Sequence, residues 1–268
     1  MGSSEGGTAS TDEASLARLY DYALGGKDNF AVDRDLYERL VAVYPEYRAF
    51  AVANRRFLVH AVRRITADGV RQFLELGSGL PTEPNVHTTA REEVPDATVV
   101  YLDRDPVAVA HCRARLGGTP GVHAVQHDLR DVRAVLDDPA VRGALDLDRP
   151  VGLLCVAVLH FLEHAEARRV LAGYRDALAP GSWIALSAHT QDPARDRPAL
   201  HAEGAGIADA LGTTILARSD EQVAELFDGF AVVDPGVVDL AHWRPRGTGG
   251  NRLWWASGVG RLGPAPGG

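Results

Sequence analysis

The sequence predicts an α/β protein: a doubly wound, mostly parallel sheet of seven strands behind a helical N-terminal extension. The first observation is a short apolar strand, Phe73 to Leu76, that runs into the glycine turn Gly77-Ser78-Gly79. The second is that apolar runs of strand length then alternate with helical patterns along the chain. The third is the continuous apolar run Val151 to Val158, typical of a central parallel strand covered on both faces.

The N-terminal part predicts helices rather than strands. Residues 1–10 have the composition of a disordered leader, and residues 11–68 are expected to form a helical cap or lid. Its helices are predicted at Thr11–Leu24, Asp33–Val43 and Pro45–Ala67, with Gly25-Gly26 ending the first and Gly69 ending the third.

Residues 69–260 are predicted to form the α/β core, and residues 261–268 a disordered tail. The helices between its strands are expected at Asn85–Glu93, Pro106–Leu116, Ala165–Leu178 and Ser219–Phe227. Pro235 marks the predicted strand Phe230–Leu240 as an edge strand or a bulge. The predicted strands are Phe73–Leu76, Thr98–Leu102, Val122–Gln126, Val151–Val158, Trp183–Ala188, Phe230–Leu240 and Arg252–Val259.

The composition narrows the function classes. The 268 residues are 46% hydrophobic and 24% charged, as in an ordinary globular protein. A formal net charge of −8 disfavours a nucleic-acid substrate. There is no apolar run of membrane-spanning length, no signal-peptide pattern and no metal-type pair among the two cysteines. These features predict a cytoplasmic protein with no membrane or nucleic-acid partner, and they leave its oligomeric state open.

The glycine turn favours S-adenosylmethionine over a dinucleotide. The third glycine of the dinucleotide fingerprint is missing after Gly77 and Gly79, so a helix cannot approach a pyrophosphate closely. Glu75 would repel a pyrophosphate but attract the ammonium and sulfonium groups of S-adenosylmethionine. Asp103 ends the second strand about 25 residues later, where such folds hold a ribose by its hydroxyl groups.

This pattern, with a further acid after the third strand, resembles class I S-adenosylmethionine-dependent methyltransferases, which have a Rossmann-like fold. From about Leu16 to Gly258 the chain resembles an actinobacterial family of these enzymes, formerly catalogued as a domain of unknown function. The resemblance implies the fold and the cofactor, but no particular substrate. The stretches that carry it are YDYALGGKDNFAVDRD, NRRFL, FLELGSGLPTEPNVH, VVYLDRDPVAVAH, RPVGLLCVAVLHFL, LAPGSWIALS and PGVVDLAHWRP. Glu75 and Ser78 replace the Asp and Thr of many relatives and keep the chemistry.

The cofactor is expected at the C-terminal ends of the strands. The acid after the second strand would accept the ribose hydroxyl groups, and the acid after the third would accept the adenine amino group. Arg55 could pair with the cofactor's carboxylate. The residues expected to bind the cofactor are Tyr22, Gly26, Arg55, Glu75, Gly77, Ser78, Gly79, Asp103, Arg104, Asp128, Leu129 and Ala157.

His160, at the end of the fourth strand, is the candidate catalytic residue. A histidine there can take a proton from an acceptor hydroxyl or amine, and the alternative is a histidine that only shapes the pocket. The segment Tyr20 to Phe30 is interpreted as the lid of a site for a small-molecule methyl acceptor. The residues expected to contact that acceptor are Tyr22, Lys27, Asn29, His160 and His189.

His160 to His164 also spells H-x-x-E-H, a zinc-protease pattern that needs both histidines on one helix. Because His160 ends a predicted strand, we predict no metal site.

The sequence leaves two other functions open. One is a non-catalytic regulator that binds S-adenosylmethionine or S-adenosylhomocysteine. The other is an enzyme that cyclises the cofactor's aminobutyrate chain and releases methylthioadenosine. A nicotinamide-dependent dehydrogenase is disfavoured by Glu75 and the missing third glycine.

Overall fold

The computed structural model describes residues 13–191, 205–246 and 250–263, so the predicted leader and most of the predicted tail lie outside the described residues. The helices are α1 Leu16–Ala23, α2 Ala31–Val43, α3 Tyr47–Ala67, α4 Val86–Ala90, α5 Pro106–Leu116, α6 Val132–Asp137, α7 Pro139–Ala144, α8 His164–Ala177 and α9 Asp220–Glu225. Residues 205–210 are also helical. The strands are β1 Gln72–Leu76, β2 Thr98–Asp103, β3 Val122–Gln126, β4 Gly152–Val156, β5 Trp183–His189, β6 Phe230–Val232, β7 Val238–Asp239 and β8 Trp255–Leu262.

The sheet confirms the predicted doubly wound architecture. Its strand order is β3-β2-β1-β4-β5-β8-β6, with β7 paired to β8. The first five strands are mutually parallel, and β8 is antiparallel to its neighbours. Both β6 and β7 pair with β8, and together they form the predicted sixth strand, Phe230–Leu240, in two pieces. Pro235 lies in the interruption, because proline has no N–H to donate to a neighbouring strand.

The central strand β1 determines which side chains reach the site. All five of its residues are buried, as its position between β2 and β4 requires. Side chains alternate between the faces of a strand, so Phe73 and Glu75 share one face. Phe73 packs in the same hydrophobic cluster as residues of α3, whereas Leu74 and Leu76 pack in the cluster on the opposite face. Glu75 is therefore the one charged group that β1 directs towards α3.

Several element boundaries differ from the predictions. Helix α4 is only five residues long, and β8 continues to Leu262, two residues beyond the predicted end of the core. Helices α6 and α7, between β3 and β4, were not predicted from the sequence. Each begins after an aspartate, Asp131 or Asp138, whose side chain accepts backbone N–H bonds of the first turn. Aspartate favours the position before a helix, so these two residues could have indicated α6 and α7 from the sequence.

Candidate active site

A cavity of about 1490 Å³ opens at the C-terminal edge of the parallel strands. Residues at the C-terminal ends of β1, β2, β4 and β5 line one side of it, among them Gly77, Asp103, Ala157 and His189. Residues of α1, α2 and α3 form much of its other wall. The helical N-terminal extension therefore covers the edge at which doubly wound sheets bind ligands.

Backbone hydrogen bonds to β2 fix the conformation of the turn after β1. The N–H groups of Gly77 and Ser78 donate to the Leu102 carbonyl oxygen at 2.8 and 3.0 Å. Gly77 has a φ of +69°, and a Cβ atom there would lie 2.4 Å from Cγ2 of Val158. Both the backbone conformation and the close approach thus require glycine at this position. Gly77, Ser78 and Gly79 thus form a half-buried backbone cradle that lines the cavity.

Asp103 ties this turn to the end of β2. Its Oδ2 accepts the Gly79 N–H at 2.8 Å, and its Oδ1 accepts the Asp105 N–H at 2.9 Å. Each carboxylate oxygen has a second lone pair, so both remain able to accept a ligand hydroxyl group. Burial raises the pKa of Asp103, although the backbone N–H bonds oppose that shift. The geometry suits two neighbouring ribose hydroxyl groups.

Glu75 and Arg55 carry opposite charges, and the Arg55 guanidinium lies over the Tyr20 ring, 6.0 Å from its centroid. Glu75 is only 8% exposed, and its carboxylate makes no hydrogen bond or ion pair to a described residue. Burial raises the pKa of Glu75 to about 7, with Arg55 opposing the shift and Asp103 adding to it. The Nε atom of Arg55 is buried without a hydrogen-bond partner. An amino-acid end of a ligand would supply an ammonium group for one and a carboxylate for the other.

The end of β3 lies at the other side of the cavity. Asp128 and Leu129 line the cavity there, together with Arg104 after β2. Arg130 pairs with Asp128, and this bond lowers the pKa of Asp128. Asp128 also accepts the Arg130 backbone N–H at 2.9 Å. The predicted adenine contacts are thus gathered in one place, with Asp128 already engaged by a neighbour.

His160 lies in a short 3-10 helix, Leu159–Phe161, directly after β4, and lines the cavity. Its ring is 4.9 Å from that of Trp255 and 4.0 Å from that of Phe161, measured between centroids. Its Nδ1 is buried with no hydrogen-bond partner. Burial, helped by His189 and Arg218, holds the pKa of His160 well below 6.5. The imidazole is therefore neutral at physiological pH.

The two histidines of the H-x-x-E-H pattern do not lie on one helix. His164 begins α8 and hydrogen-bonds Glu225 at 2.9 Å, whereas His160 belongs to the preceding 3-10 helix. Among the residues that the structure describes, no three His, Cys, Asp or Glu side chains are grouped closely enough to hold a metal ion. No helix in these same ranges has the length and apolar content to cross a membrane.

A hydrogen-bond relay that the sequence did not reveal links the strand ends to the helical cap. The Ala157 N–H donates to Oγ of Ser187 at 2.9 Å, and this hydroxyl donates to Oδ1 of Asn54 at 2.7 Å. The Asn54 amide then donates to the Tyr20 hydroxyl at 2.9 Å. Asn54 in the apolar stripe of α3 was the signal for such a bond. Ala157 has a φ of +55°, a conformation that this relay helps to hold.

The prediction that the segment Tyr20 to Phe30 contacts the cofactor and the acceptor needs correction. Most of the residues expected to make these contacts do not line the cavity. Tyr22 packs edge-on against Tyr37, with ring centroids 5.0 Å apart. Asn29 donates to the Gly26 carbonyl oxygen at 3.0 Å, and Lys27 is exposed. Tyr22, Gly26, Lys27 and Asn29 are all absent from the cavity surface, whereas Tyr20 is part of it.

Asp21, which the sequence analysis overlooked, holds this segment in place. Its side chain is buried and accepts the Asp28 N–H at 3.1 Å and the Thr82 hydroxyl at 3.0 Å. A Cβ atom on Gly26 would lie 2.1 Å from the Asp21 carboxylate. Gly26 is therefore explained by packing on Asp21 rather than by ligand contact. Through Thr82, Asp21 joins α1 to the loop that follows the glycine turn.

We expect Asp21→Asn to lower the free energy of unfolding by about 2 kcal/mol, because the amide offers one uncharged acceptor oxygen to the two donors that the carboxylate satisfies. Binding of S-adenosylhomocysteine should weaken several-fold, since the loop after the glycine turn loses its tether. Calorimetric titration and denaturant unfolding measure the two effects. Asp28→Asn is the matched control: it removes a surface pair with Arg115 and keeps the backbone bond to Asp21. Equal binding by both variants would separate this segment from the ligand site.

Comparisons with known proteins show the family and the fold. A family model described as S-adenosyl methyltransferase matches residues 4–262. A crystal structure of a methyltransferase candidate from Thermobifida fusca YX is 37% identical, with a TM-score of 0.86 over 97% of this chain and 100% of that chain. A DUF574 family protein from Streptomyces avermitilis is 32% identical, with a TM-score of 0.84 over 94% of this chain and 98% of that chain.

Curated relatives are more distant. A trans-aconitate 2-methyltransferase from Mycobacterium tuberculosis is 30% identical over 141 residues, which are 52% of this chain and 45% of that protein. The chain thus matches less than half the length of this relative.

Proposed function

The chain belongs to the S-adenosyl methyltransferase family, and we propose that it methylates a small-molecule acceptor at an oxygen or nitrogen atom. Family membership confirms the predicted class I fold and S-adenosylmethionine as cofactor. The observation that carries the proposal is the size of the cavity, about 1490 Å³. Pockets for one drug-sized ligand are roughly 300–1,000 Å³, so a second small molecule fits beside the cofactor.

The unpartnered groups of the site fit the cofactor. We assign the cofactor's ammonium group to Glu75 and its carboxylate to Arg55, with the ribose hydroxyl groups on Asp103. Gly77, Ser78, Gly79 and Ala157 would hold the methionine and ribose side of the cofactor, and Arg104, Asp128 and Leu129 would hold the adenine. When bound, S-adenosylmethionine supplies an electrophilic methyl group, which passes to the acceptor as the carbon–sulfur bond breaks and the electron pair stays on sulfur.

The chain's own contribution is to orient the acceptor and exclude water. Helices α1 to α3 cover the cavity, while His160 and His189 lie at the ends of β4 and β5. A neutral His160 can accept a hydrogen bond from an acceptor hydroxyl or amine and take its proton. The low pKa of His160 favours accepting the hydrogen bond over taking the proton, because a weak base holds a proton only briefly. The acidic net charge favours a small acceptor over a nucleic acid.

We expect His160→Asn to lower kcat for the acceptor about 100-fold, the lower range for a group that assists proton transfer. The affinity for S-adenosylhomocysteine should stay unchanged, because no cofactor group is assigned to this ring. His164→Asn is the matched control, since His164 pairs with Glu225 outside the cavity. A variant that methylates at the normal rate would reduce His160 to a residue that shapes the pocket.

Calorimetric titration with S-adenosylmethionine and, separately, NADH tests the proposal first. We expect micromolar binding of S-adenosylmethionine and none of NADH. Chromatography of the incubated cofactor then distinguishes the alternatives. Methylthioadenosine formed without an acceptor would establish cyclisation, and an intact cofactor that no acceptor consumes would favour a binding regulator. Absence of S-adenosylmethionine binding would overturn the proposed function.

A further inference from the structure

We propose that the acceptor is a planar aromatic molecule that carries a neutral hydroxyl group. The inference rests on the proposed function and names the substrate class of the same cavity. It is based on a set of cavity-lining rings, which we call the aromatic wall: Tyr44, Tyr47, Phe50, Phe161 and Trp255.

The aromatic wall is continuous across three parts of the fold. Phe50 of α3 stacks on Trp255 of β8 with centroids 3.9 Å apart, and Tyr47 lies 5.5 Å from Phe50. On its other side Trp255 meets the His160 ring edge-on, and that ring in turn contacts Phe161. Tyr47, Phe50 and Trp255 are buried and Tyr44 and Phe161 are half-buried, so a ligand meets only the parts of these rings that line the cavity. An aromatic lining of this kind favours a flat aromatic partner over an aliphatic one.

Polar atoms in and beside the aromatic wall indicate the second feature of the ligand, a hydroxyl group. Three cavity-lining side chains each have a buried polar atom with no hydrogen-bond partner: Nδ1 of His160, Oγ1 of Thr190 and Nε1 of Trp255. These three residues are 5%, 1% and 5% exposed. The indole N–H is a donor only, and the threonine hydroxyl can be either donor or acceptor. A ligand hydroxyl group has both functions and can satisfy any of the three.

The charges near the wall disfavour a polyanion. Among the cationic Arg and Lys side chains that the structure describes, Arg218 is buried close to His160 without lining the cavity, and those that line it are Arg55, Arg104 and Arg130. The last two lie beside the predicted adenine site, and Arg55 is assigned to the cofactor's carboxylate. Buried His160 has its pKa well below 6.5, so it adds no positive charge. A tricarboxylate such as trans-aconitate would find too few partners at this wall.

The test compares matched probes on the protein saturated with S-adenosylhomocysteine, which occupies the cofactor site. The probes are 2-naphthol, its saturated counterpart decahydro-2-naphthol, naphthalene and trans-aconitate. We expect 2-naphthol to bind about tenfold more tightly than decahydro-2-naphthol, the range that aromatic contacts add beyond buried area. Naphthalene should bind more weakly than 2-naphthol because it leaves the polar atoms unpaired. With S-adenosylmethionine present, 2-methoxynaphthalene should form.

Substitutions locate the binding. Trp255→Leu should remove the preference for 2-naphthol over decahydro-2-naphthol, and Phe161→Leu should reduce it without disturbing the core. Trp254→Leu is the matched control, because Trp254 contacts Arg252 and does not line the cavity. Circular dichroism and binding of S-adenosylhomocysteine report whether each variant folds.

The outcomes separate the two proposals. Equal affinity for 2-naphthol and decahydro-2-naphthol, or tighter binding of trans-aconitate than of either, would overturn the aromatic acceptor while S-adenosylhomocysteine binding keeps the proposed function. Loss of 2-naphthol binding in Trp254→Leu but not in Trp255→Leu or Phe161→Leu would also overturn it. Failure of S-adenosylhomocysteine itself to bind would overturn the proposed function.

Discussion

Gly77→Ala should abolish measurable S-adenosylmethionine binding and destabilise the protein by about 3 kcal/mol. Two costs combine at this position. A left-handed backbone costs an L-residue roughly 1–2 kcal/mol, and Gly77 has a φ of +69°. The added Cβ would also lie 2.4 Å from Cγ2 of Val158, so either the turn or the end of β4 must move. Either movement displaces the backbone cradle from the cofactor.

A matched glycine separates strain from collision. Gly69 after α3 also has a positive φ, +89°, but a Cβ atom there would meet nothing within 4 Å. Gly69→Ala should therefore cost only the strain, about 1–2 kcal/mol, and keep normal cofactor affinity. The double variant Gly77→Ala/Val158→Ala should recover part of the stability, since the nearest colliding methyl is removed. Equal unfolding free energies for Gly77→Ala and Gly69→Ala would contradict the collision with Val158.

The sequence was sufficient to predict how the strand ends converge. In a parallel sheet the residues after successive strands meet at one edge, so Glu75, Asp103, Asp128 and His160 could be grouped before any coordinates. The structure places all four on the surface of one cavity. Element types followed from the same periodicity, and Pro235 marked the interrupted edge strand because proline cannot join a hydrogen-bond ladder.

What the sequence did not reveal depends on contacts between distant residues. The polar density of Tyr20 to Phe30 indicated a binding segment but not which side chains face inward. The structure directs Tyr20 to the cavity and Asp21 to Thr82, which leaves Tyr22 on Tyr37. The relay through Asn54 joins residues 133 positions apart, a separation that no local pattern encodes. Likewise, the aromatic wall forms only when α3 packs against β8.

Glu75→Gln should weaken S-adenosylmethionine binding about 100-fold at pH 7.5, because a buried charge that pairs with an ammonium group is lost. The apo protein should become more stable at the same pH. Burial raises the pKa of Glu75 from 4.5 to about 7, so ionising this carboxyl group opposes folding in the absence of a cationic partner. The shift corresponds to roughly 3 kcal/mol once the group is fully ionised.

The pH dependence gives the clearer signature. Between pH 4.5 and about 7 the folded state holds a proton on Glu75 that the unfolded state releases. The contribution of Glu75 to stability is therefore present below pH 4.5 and is lost as the pH rises through about 7. Ligand binding has the opposite trend, because the ammonium group needs the carboxylate. Wild-type affinity should fall up to tenfold per pH unit below pH 7, whereas Glu75→Gln should show no such fall.

Calorimetric titrations at pH 5.5, 6.5 and 7.5, paired with denaturant unfolding of the apo protein, measure both trends. Glu92→Gln is the matched control: it removes an exposed carboxylate paired with Arg63, which contributes little to stability. It should keep the wild-type pH profile. No cofactor group is assigned to His160, and burial holds its pKa well below 6.5. If Glu75→Gln kept the wild-type dependence of affinity on pH, Glu75 would not bind the ammonium group. Another residue of the cavity would then have to make this contact.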